Sequence, residues 1–271
     1  MELTLILGYL GALIIGLVLG LIGGGGSILT VPVLVYLLTI NPFLATAYSL
    51  FIVGATSAVG TIQNLKKGLV DLKTAIVFAI PAFISVYLAR KYIIPIIPEE
   101  LFTVNSVVVT RGTAIMVFFA IIMLLAAFSM IHKKNQRNLE KANVPEKQHK
   151  FNYVLIILEG LGVGLVTGIV GAGGGFLIIP ALVLLAKLPM KNAVATSLLI
   201  IAVKSLIGFV GDVQNLEIEW GFLLSFTMLS IVGIFIGIYL NRFVDGKRLK
   251  KSFGWFVLVM AVYILWKEIG I

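Results

Sequence analysis

The polar and apolar positions of this chain fall into long blocks and do not alternate residue by residue. Apolar runs recur along the whole length, and each is comparable to the ~17–25 residues that a helix needs to cross the hydrocarbon core of a bilayer. A transmembrane β-barrel would instead show segments of about ten residues with alternating polarity. The pattern therefore predicts an all-α polytopic membrane protein with about eight to ten membrane helices.

Five apolar segments are predicted on each side of one polar stretch, residues 131–150. Those of the first membrane repeat, 1–130, cover about residues 3–22, 27–38, 43–62, 72–88 and 107–130. Those of the second membrane repeat, 151–271, cover about residues 152–170, 176–186, 192–210, 219–240 and 253–266. The second segment of each set is short for a full crossing, since a helix rises about 1.5 Å per residue. Each repeat is therefore expected to contain an interrupted, short helix.

The two repeats are related by a constant shift in residue number, which we call the repeat shift. It places Gly23 on Gly171 and Pro32 on Pro180, and it needs no gap from the first segment to the end of the third. Each glycine run is followed by a proline at equal spacing, and the two prolines are expected to end the short helices early and so to define two hairpins. Duplication of this kind indicates two homologous halves.

Composition narrows the range of functions. Of the 271 residues 60% are hydrophobic and 12% are charged, so little of the chain is left to fold in water. The chain has no cysteine and two histidines, which leaves little for thiol, metal or cofactor chemistry, and we expect neither an enzyme nor a metal site. The start lacks a basic n-region, so the first apolar run is predicted to be a retained span. The net charge of +9 is more typical of membrane orientation than of nucleic-acid binding.

Charge also decides between parallel and inverted repeats. If all five segments of each repeat cross and the linker is cytoplasmic, sixteen of the 21 Lys and Arg residues lie inside and four lie outside. Arg90 and Lys91 are among the outer four, at the expected exit of the fourth segment. If the short segments re-enter instead, the basic residues divide equally. Since cytoplasmic loops carry the excess of Lys and Arg, the chain is predicted to have inverted-topology repeats, a basic cytoplasmic linker and both termini outside.

Interrupted helices at matching positions of inverted repeats are typical of secondary transporters, in which half-helix N-termini point N–H groups and a positive dipole end at an anion. The two glycine runs lie where such N-termini are expected, and the third segments add a face of small and hydroxylated residues. The candidate substrate-binding residues of these elements are Gly23, Gly24, Gly25, Gly26, Ser27, Ser49, Thr56, Gly171, Gly173, Gly174, Gly175 and Ser197. The two runs are expected to meet near mid-bilayer around a shared cavity. Close helix packing and interhelical hydrogen bonds are the alternative role of these residues.

Two charged residues inside the predicted spans need an explanation. Lys204 lies in the third segment of the second repeat, where an ammonium is costly without a cavity, a counter-charge or a ligand. We expect it to add positive charge to the anion site, and snorkelling to the outer surface is the alternative. Glu159 is a candidate for proton coupling or for pairing with Lys204, with placement at the interface as its alternative. Asp212 lies at the end of the segment that carries Lys204.

Two copies of a Gly-x-Gly-Gly-Gly/Ser-x-x-x-x-Pro motif, each followed by an Ala-x-Ala-x-Ser-Leu helix, resemble the TauE/SafE family of permeases, also called the sulfite exporter or TSUP family. The resemblance covers essentially the whole chain. It implies a transporter of small sulfur-containing or organic anions, such as sulfite, thiosulfate, sulfoacetate or other sulfonates, driven by a proton or sodium gradient. It carries over to the motif glycines and prolines and does not carry over to Lys204.

The sequence thus predicts alternating access in the cytoplasmic membrane, with one half rocking against the other around an anion held between the glycine hairpins. An anion-selective channel and a non-transporting scaffold subunit are the alternatives. The expected partners are a small anion, the bilayer and a coupling proton or sodium ion. A homo-oligomer is compatible with the sequence, and no nucleic acid is expected.

Overall fold

The computed structural model describes residues 2–24, 26–104, 107–131, 153–184, 186, 188–213, 215–241, 243 and 246–269. Within these ranges the regular structure is helical apart from one β-hairpin. Gly25 of the first glycine run and nearly all of the predicted linker at 131–150 lie outside the described residues.

The helices divide between the two predicted repeats. Those of the first repeat are α1 (Glu2–Ile22), α2 (Ser27–Pro32), α3 (Pro42–Lys66), α4 (Leu72–Leu88), α5 (Ile94–Ile96) and α6 (Arg111–Ile131). π-Helical turns extend α2 over Val33–Leu37 and join α4 to α5 over Ala89–Ile93. Strands β1 (Glu100–Val104) and β2 (Val107–Thr110) form the antiparallel hairpin. Those of the second repeat are α7 (Tyr153–Val170), α8 (Gly175–Leu184), α9 (Met190–Val213), α10 (Trp220–Leu240) and α11 (Gly246–Ile269).

Among the described residues, six helices are long and apolar enough to cross a membrane. They are Thr4–Ile22, Pro42–Lys66, Leu72–Ile96, Arg111–Phe128, Met190–Val213 and Trp220–Leu240. Two shorter apolar helices, Ser27–Leu37 and Val154–Val170, accompany them. These lengths confirm the prediction of an all-α polytopic membrane protein.

Left-handed glycines end α1 and α7. Gly23 has a φ of 83° and Gly171 a φ of 73°, and each N–H donates to the carbonyl four residues earlier, at 2.8 Å to Leu19 and 2.9 Å to Thr167. Glycine adopts this conformation without the steric cost that a side chain brings. Because the repeat shift places Gly23 on Gly171, both glycine runs begin with the same turn.

Each repeat packs its first helix against the fourth helix of the other repeat, so that α1 lies along α10 and α7 lies along α4. Gly16 of α1 faces the backbone at Ser230, and its equivalent under the repeat shift, Gly164 of α7, faces Ala82. Contact positions ascend together along both helices of each pair, so the paired helices are parallel. Small residues at these contacts let the backbones approach closely, as is common between membrane helices.

The centre of the bundle is the contact between α3 and α9. Gly60 lies against Leu198, and Gly208 lies against Leu50. A later position on one helix therefore meets an earlier position on the other, which makes the pair antiparallel. The repeat shift converts the contact of Gly60 with Leu198 into the contact of Gly208 with Leu50. Residues that are equivalent in sequence therefore make equivalent contacts in the fold. Helices α6 and α11 pack together beside this centre.

The expectation that proline ends the short helices is wrong. Pro32 lies inside a helical stretch that runs on to Leu37, and Pro180 lies within the bounds of α8. A proline removes one backbone donor from a helix. In the first repeat the chain adjusts to this by widening into the π-helical turn, and the helix continues.

Two expectations about the end of the first repeat are also wrong. Arg90 and Lys91 do not mark an exit, because the helical stretch that begins at Leu72 continues through them to Ile96. Residues 107–110 form strand β2 and not the start of the fifth helix. Their sequence, Val-Val-Val-Thr, consists of β-branched residues, which favour strands and lose side-chain freedom in helices.

Candidate functional site

The two glycine runs meet in the interior of the bundle. The Cβ atom of an alanine built at Gly24 would lie 2.7 Å from the carbonyl carbon of Gly175, and one built at Gly175 would lie 2.8 Å from that of Gly24. Both residues are buried. The backbones of the two runs are therefore in direct contact.

Each run also lies against the third helix of the other repeat. Gly23 faces Val194 of α9, and Gly171 faces Thr46 of α3. The repeat shift converts the first contact into the second. Farther along the second run, Gly173 lies against Val53 of α3, which is on the same helical face as Thr46. Gly23, Gly171 and Gly173 are thus brought together with the central helices, whereas Gly26 faces Ile15 and Leu19 of α1.

The predicted hydroxyl residues are all buried, with different hydrogen-bond partners. Ser27 donates to the carbonyl of Gly24 at 2.7 Å, and Ser197 donates to the carbonyl of Val194 at 2.8 Å. The hydroxyls of Ser49 and Thr56 have no partner among the described residues. Unpaired polar groups are uncommon in protein interiors. The face of α3 that contacts the second glycine run therefore keeps unused hydrogen-bonding capacity.

Lys204 is buried beside the second glycine run. Its side chain is 0% exposed, which excludes snorkelling to the outer surface in this conformation. The ammonium donates to the Oγ1 atom of Thr167 at 2.6 Å, and it lies 3.1 Å from the point that a Cβ atom on Gly174 would occupy. Within the described part of the chain no carboxylate pairs with it. Lys204 is thus a buried amino group whose one direct partner there is a neutral hydroxyl.

Glu159 does not pair with Lys204. It lies on α7, eight residues and about 12 Å before Thr167, the hydrogen-bond partner of Lys204. Its side chain is half-buried, and its Oε2 atom has no hydrogen-bond partner among the described residues. Glu159 therefore stays a candidate for proton coupling and not for charge pairing.

The structure adds an ion pair that sequence reasoning did not predict. Arg90 and Asp212 are 0% and 1% exposed, and Nη1 of Arg90 lies 3.3 Å from Oδ2 of Asp212. The same nitrogen donates to Oγ1 of Thr46 at 2.9 Å, and Thr46 contacts Gly171. The pair therefore adjoins the start of the second glycine run. The sequence signal that could have indicated a buried Arg90 was its position. Arg90 interrupts an apolar stretch that is long enough to span the membrane.

Comparison with known proteins establishes the family of the chain. It matches the family described as Sulfite exporter TauE/SafE over residues 8–264. It is 28% identical over 262 residues to a probable membrane transporter protein of Xylella fastidiosa (strain 9a5c), covering 94% of this chain and 92% of that one. It is 29% identical over 275 residues to the probable membrane transporter protein YunE of Bacillus subtilis (strain 168), covering 93% and 92%. No solved structure matches at a significant level. With the family covering nearly the whole chain, this protein belongs to the sulfite exporter TauE/SafE family of membrane transporters.

Proposed function

We propose that the protein is a secondary transporter that moves a small sulfur-containing or organic anion across the cytoplasmic membrane. Sulfite, thiosulfate, sulfoacetate and other sulfonates are the candidate substrates, in keeping with the name of the family. The single observation that carries the proposal is the ammonium of Lys204. It is fully buried, and it meets only the neutral hydroxyl of Thr167 where the described residues reach it.

A buried, uncompensated charge is expensive, and ionisable groups inside spans are accordingly associated with ion and substrate pathways. An anion bound beside Lys204 would supply the missing negative charge. The adjacent glycine backbone, together with the unpaired hydroxyls of Ser49 and Thr56, offers further donors to such a ligand. These features suit a small oxyanion better than a cation or an apolar molecule.

The proposal includes inverted-topology repeats. Equivalent helices related by an axis in the membrane plane must run in opposite directions. The antiparallel contact of α3 with α9 supports this relation, as do the exchanged contacts of Gly60 with Leu198 and Gly208 with Leu50. The distribution of Lys and Arg supports a cytoplasmic linker at 131–150 and both termini outside.

Alternating access is the proposed mechanism. In this mechanism the contact between Gly24 and Gly175 closes the pathway, and its opening toward either side of the membrane exposes Lys204 to that side in turn. A proton or sodium gradient supplies the driving force, and Glu159 is the candidate proton carrier. The carboxylate of Glu159 suits this role because it is half-buried and has an oxygen without a partner among the described residues.

The test is flux into liposomes that contain the purified protein. A panel of sulfite, thiosulfate, sulfate, sulfonates and carboxylates should include at least one anion with saturable uptake that depends on a proton or sodium gradient. Currents that need no gradient and do not saturate would identify an anion-selective channel instead. No flux of any anion would indicate a scaffold subunit and refute the proposal.

Lys204→Met tests the carrying observation, because methionine keeps most of the side-chain volume and removes the charge. Saturable uptake should be lost, and so should the thermal stabilisation that a bound anion gives. Lys191→Met is the matched control, since Lys191 is an exposed lysine at the start of the same helix. Uptake kinetics of Lys204→Met that equal those of the wild type would contradict a role in anion binding.

A further inference from the structure

Arg90 uses only one of its three guanidinium nitrogens for the contacts that the structure describes. Nη1 meets Asp212 at 3.3 Å and Thr46 at 2.9 Å. Nε and Nη2 are buried and have no hydrogen-bond partner among the described residues. A guanidinium cannot lose its charge under physiological conditions. The opposite edge of this side chain is therefore a pair of permanently charged donors that are held away from water and have no acceptor in the described part of the chain.

The Nε–Nη2 edge presents two N–H groups that point in the same direction. This geometry matches two oxygens of a carboxylate, phosphate or similar oxyanion, each accepting one hydrogen bond. Chloride has a single acceptor atom, so both N–H groups must bend toward one point and the two hydrogen bonds are less well aligned. The free edge is thus selective by shape as well as by charge.

The position of Arg90 connects this edge to the proposed transport site. Thr46, its hydrogen-bond partner, contacts Gly171 at the start of the second glycine run. Lys204 lies beside Gly174 in the same run, and it precedes Asp212 on α9 by eight residues, or about 12 Å. Two buried basic side chains, Arg90 and Lys204, therefore lie along one glycine run, with Asp212 as the acidic partner of Arg90.

We propose that the Nε–Nη2 edge of Arg90 is a second subsite for the transported oxyanion, and that Asp212 competes with that anion for the guanidinium. The inference rests on the proposed transport function and adds a specificity-determining residue to it. Asp212 neutralises Arg90 when no anion is bound. An arriving sulfonate, sulfite or carboxylate takes up the free edge first and weakens the contact with Asp212. In the proposed orientation this subsite lies toward the outer end of α9, beyond Lys204.

The experiment compares anion binding by four purified proteins: the wild type, Asp212→Asn, Arg90→Lys and the double variant Arg90→Met/Asp212→Asn. The double variant removes both charges together, so it leaves no unpaired buried charge and is the variant best suited to fold. Binding is followed as the shift in melting temperature with sodium sulfite, sodium methanesulfonate and sodium chloride. Size-exclusion chromatography in detergent confirms that each protein is monodisperse.

Asp212→Asn should bind sulfite or methanesulfonate roughly tenfold more tightly, because the carboxylate that neutralises the guanidinium charge is removed. Arg90→Lys keeps the positive charge and loses the pair of parallel N–H donors. Its oxyanion binding should therefore weaken at least about tenfold, with little change in the melting-temperature shift caused by chloride. The double variant should fold and lose oxyanion binding. A purely structural ion pair would not produce tighter binding in Asp212→Asn.

The inference is overturned if the folded double variant binds both oxyanions as the wild type does. It is also overturned if Asp212→Asn, once folded, binds them no more tightly, because the carboxylate then does not compete for Arg90. If a single variant fails to fold, the double variant decides alone. A wild type that responds to no anion contradicts the proposed function itself. Loss of binding in Lys204→Met with normal binding in the double variant contradicts only the second subsite.

Discussion

Gly24→Ala tests the contact between the two glycine runs. The new Cβ atom would lie 2.7 Å from the carbonyl carbon of Gly175, whereas ordinary van der Waals contact begins near 3.4 Å. The Cα atom of Gly175 lies nearer still, and backbone atoms cannot rotate away, so the two glycine runs must separate by at least this difference. Overpacking of this kind costs about 1–3 kcal/mol. For a chain of this size that corresponds to a fall in melting temperature of roughly 2–12 °C.

The assay is thermal unfolding of the detergent-purified protein, with Gly162→Ala as the control. Gly162 lies on α7 with nothing within 4 Å of the added Cβ atom, and alanine is the better helix former. Its melting temperature should therefore equal or exceed that of the wild type. Gly175→Ala should behave like Gly24→Ala. The double variant should lose less stability than the two single losses together, because both side chains separate the same pair of backbones.

One outcome would refute this reasoning about the contact. If Gly24→Ala melts within about 1 °C of both the wild type and Gly162→Ala, then the two runs are not packed against each other in the folded protein. Strictly additive losses for Gly24→Ala and Gly175→Ala would also refute it, since additivity is the behaviour of distant and independent positions.

Three further predictions concern other contacts and the topology. Gly16→Ala should lower the melting temperature at least as much as Gly24→Ala, because its Cβ atom would meet the backbone of α10, and an unchanged value would contradict the close helix pair. Tyr36→Phe should lose about 0.5–3 kcal/mol of stability with the 2.9 Å hydrogen bond to Glu268; equal melting of Tyr36→Phe and wild type would show that this bond contributes nothing. The chain has no cysteine, so Lys67→Cys and Glu100→Cys each carry a single thiol, and a membrane-impermeant maleimide applied to intact cells should label Glu100→Cys alone. Labelling of Lys67→Cys from outside would reverse the proposed orientation.

The correspondence between glycine positions was predictable because it depends on residue type at fixed spacing. Glycines at equivalent positions of the two repeats adopt the same left-handed turn at Gly23 and Gly171, and the glycine contacts of Gly16 and Gly164 follow the same repeat shift. Hydropathy alone located most of the spans, since the length of an apolar run is set by bilayer thickness. Both signals are local in sequence and need no knowledge of which helices touch.

The partners of the buried charges were not predictable in the same way. The sequence places Arg90 and Lys91 side by side, and only the fold shows that Arg90 is buried against Asp212 while the helix continues beyond both. Tertiary packing decides which residues pair when they lie this far apart in the chain. The hydropathy of either segment does not indicate its partner. The strand at 107–110 was missed because a β-branched apolar run fits a membrane helix and a strand equally well by hydropathy.

The reciprocal packing of α1 with α10 has a consequence for biogenesis. α1 emerges from the ribosome about 200 residues before Trp220–Leu240, to which its glycine-lined face is complementary. α1 therefore enters the bilayer well before its native neighbour has been synthesised, and the interval is most of the time needed for translation. During that interval Gly16 and Gly20 face lipid or a surrogate partner. Native packing of α1 can be completed only after Trp220–Leu240 has entered the membrane, and a chain truncated before residue 220 leaves α1 without this neighbour.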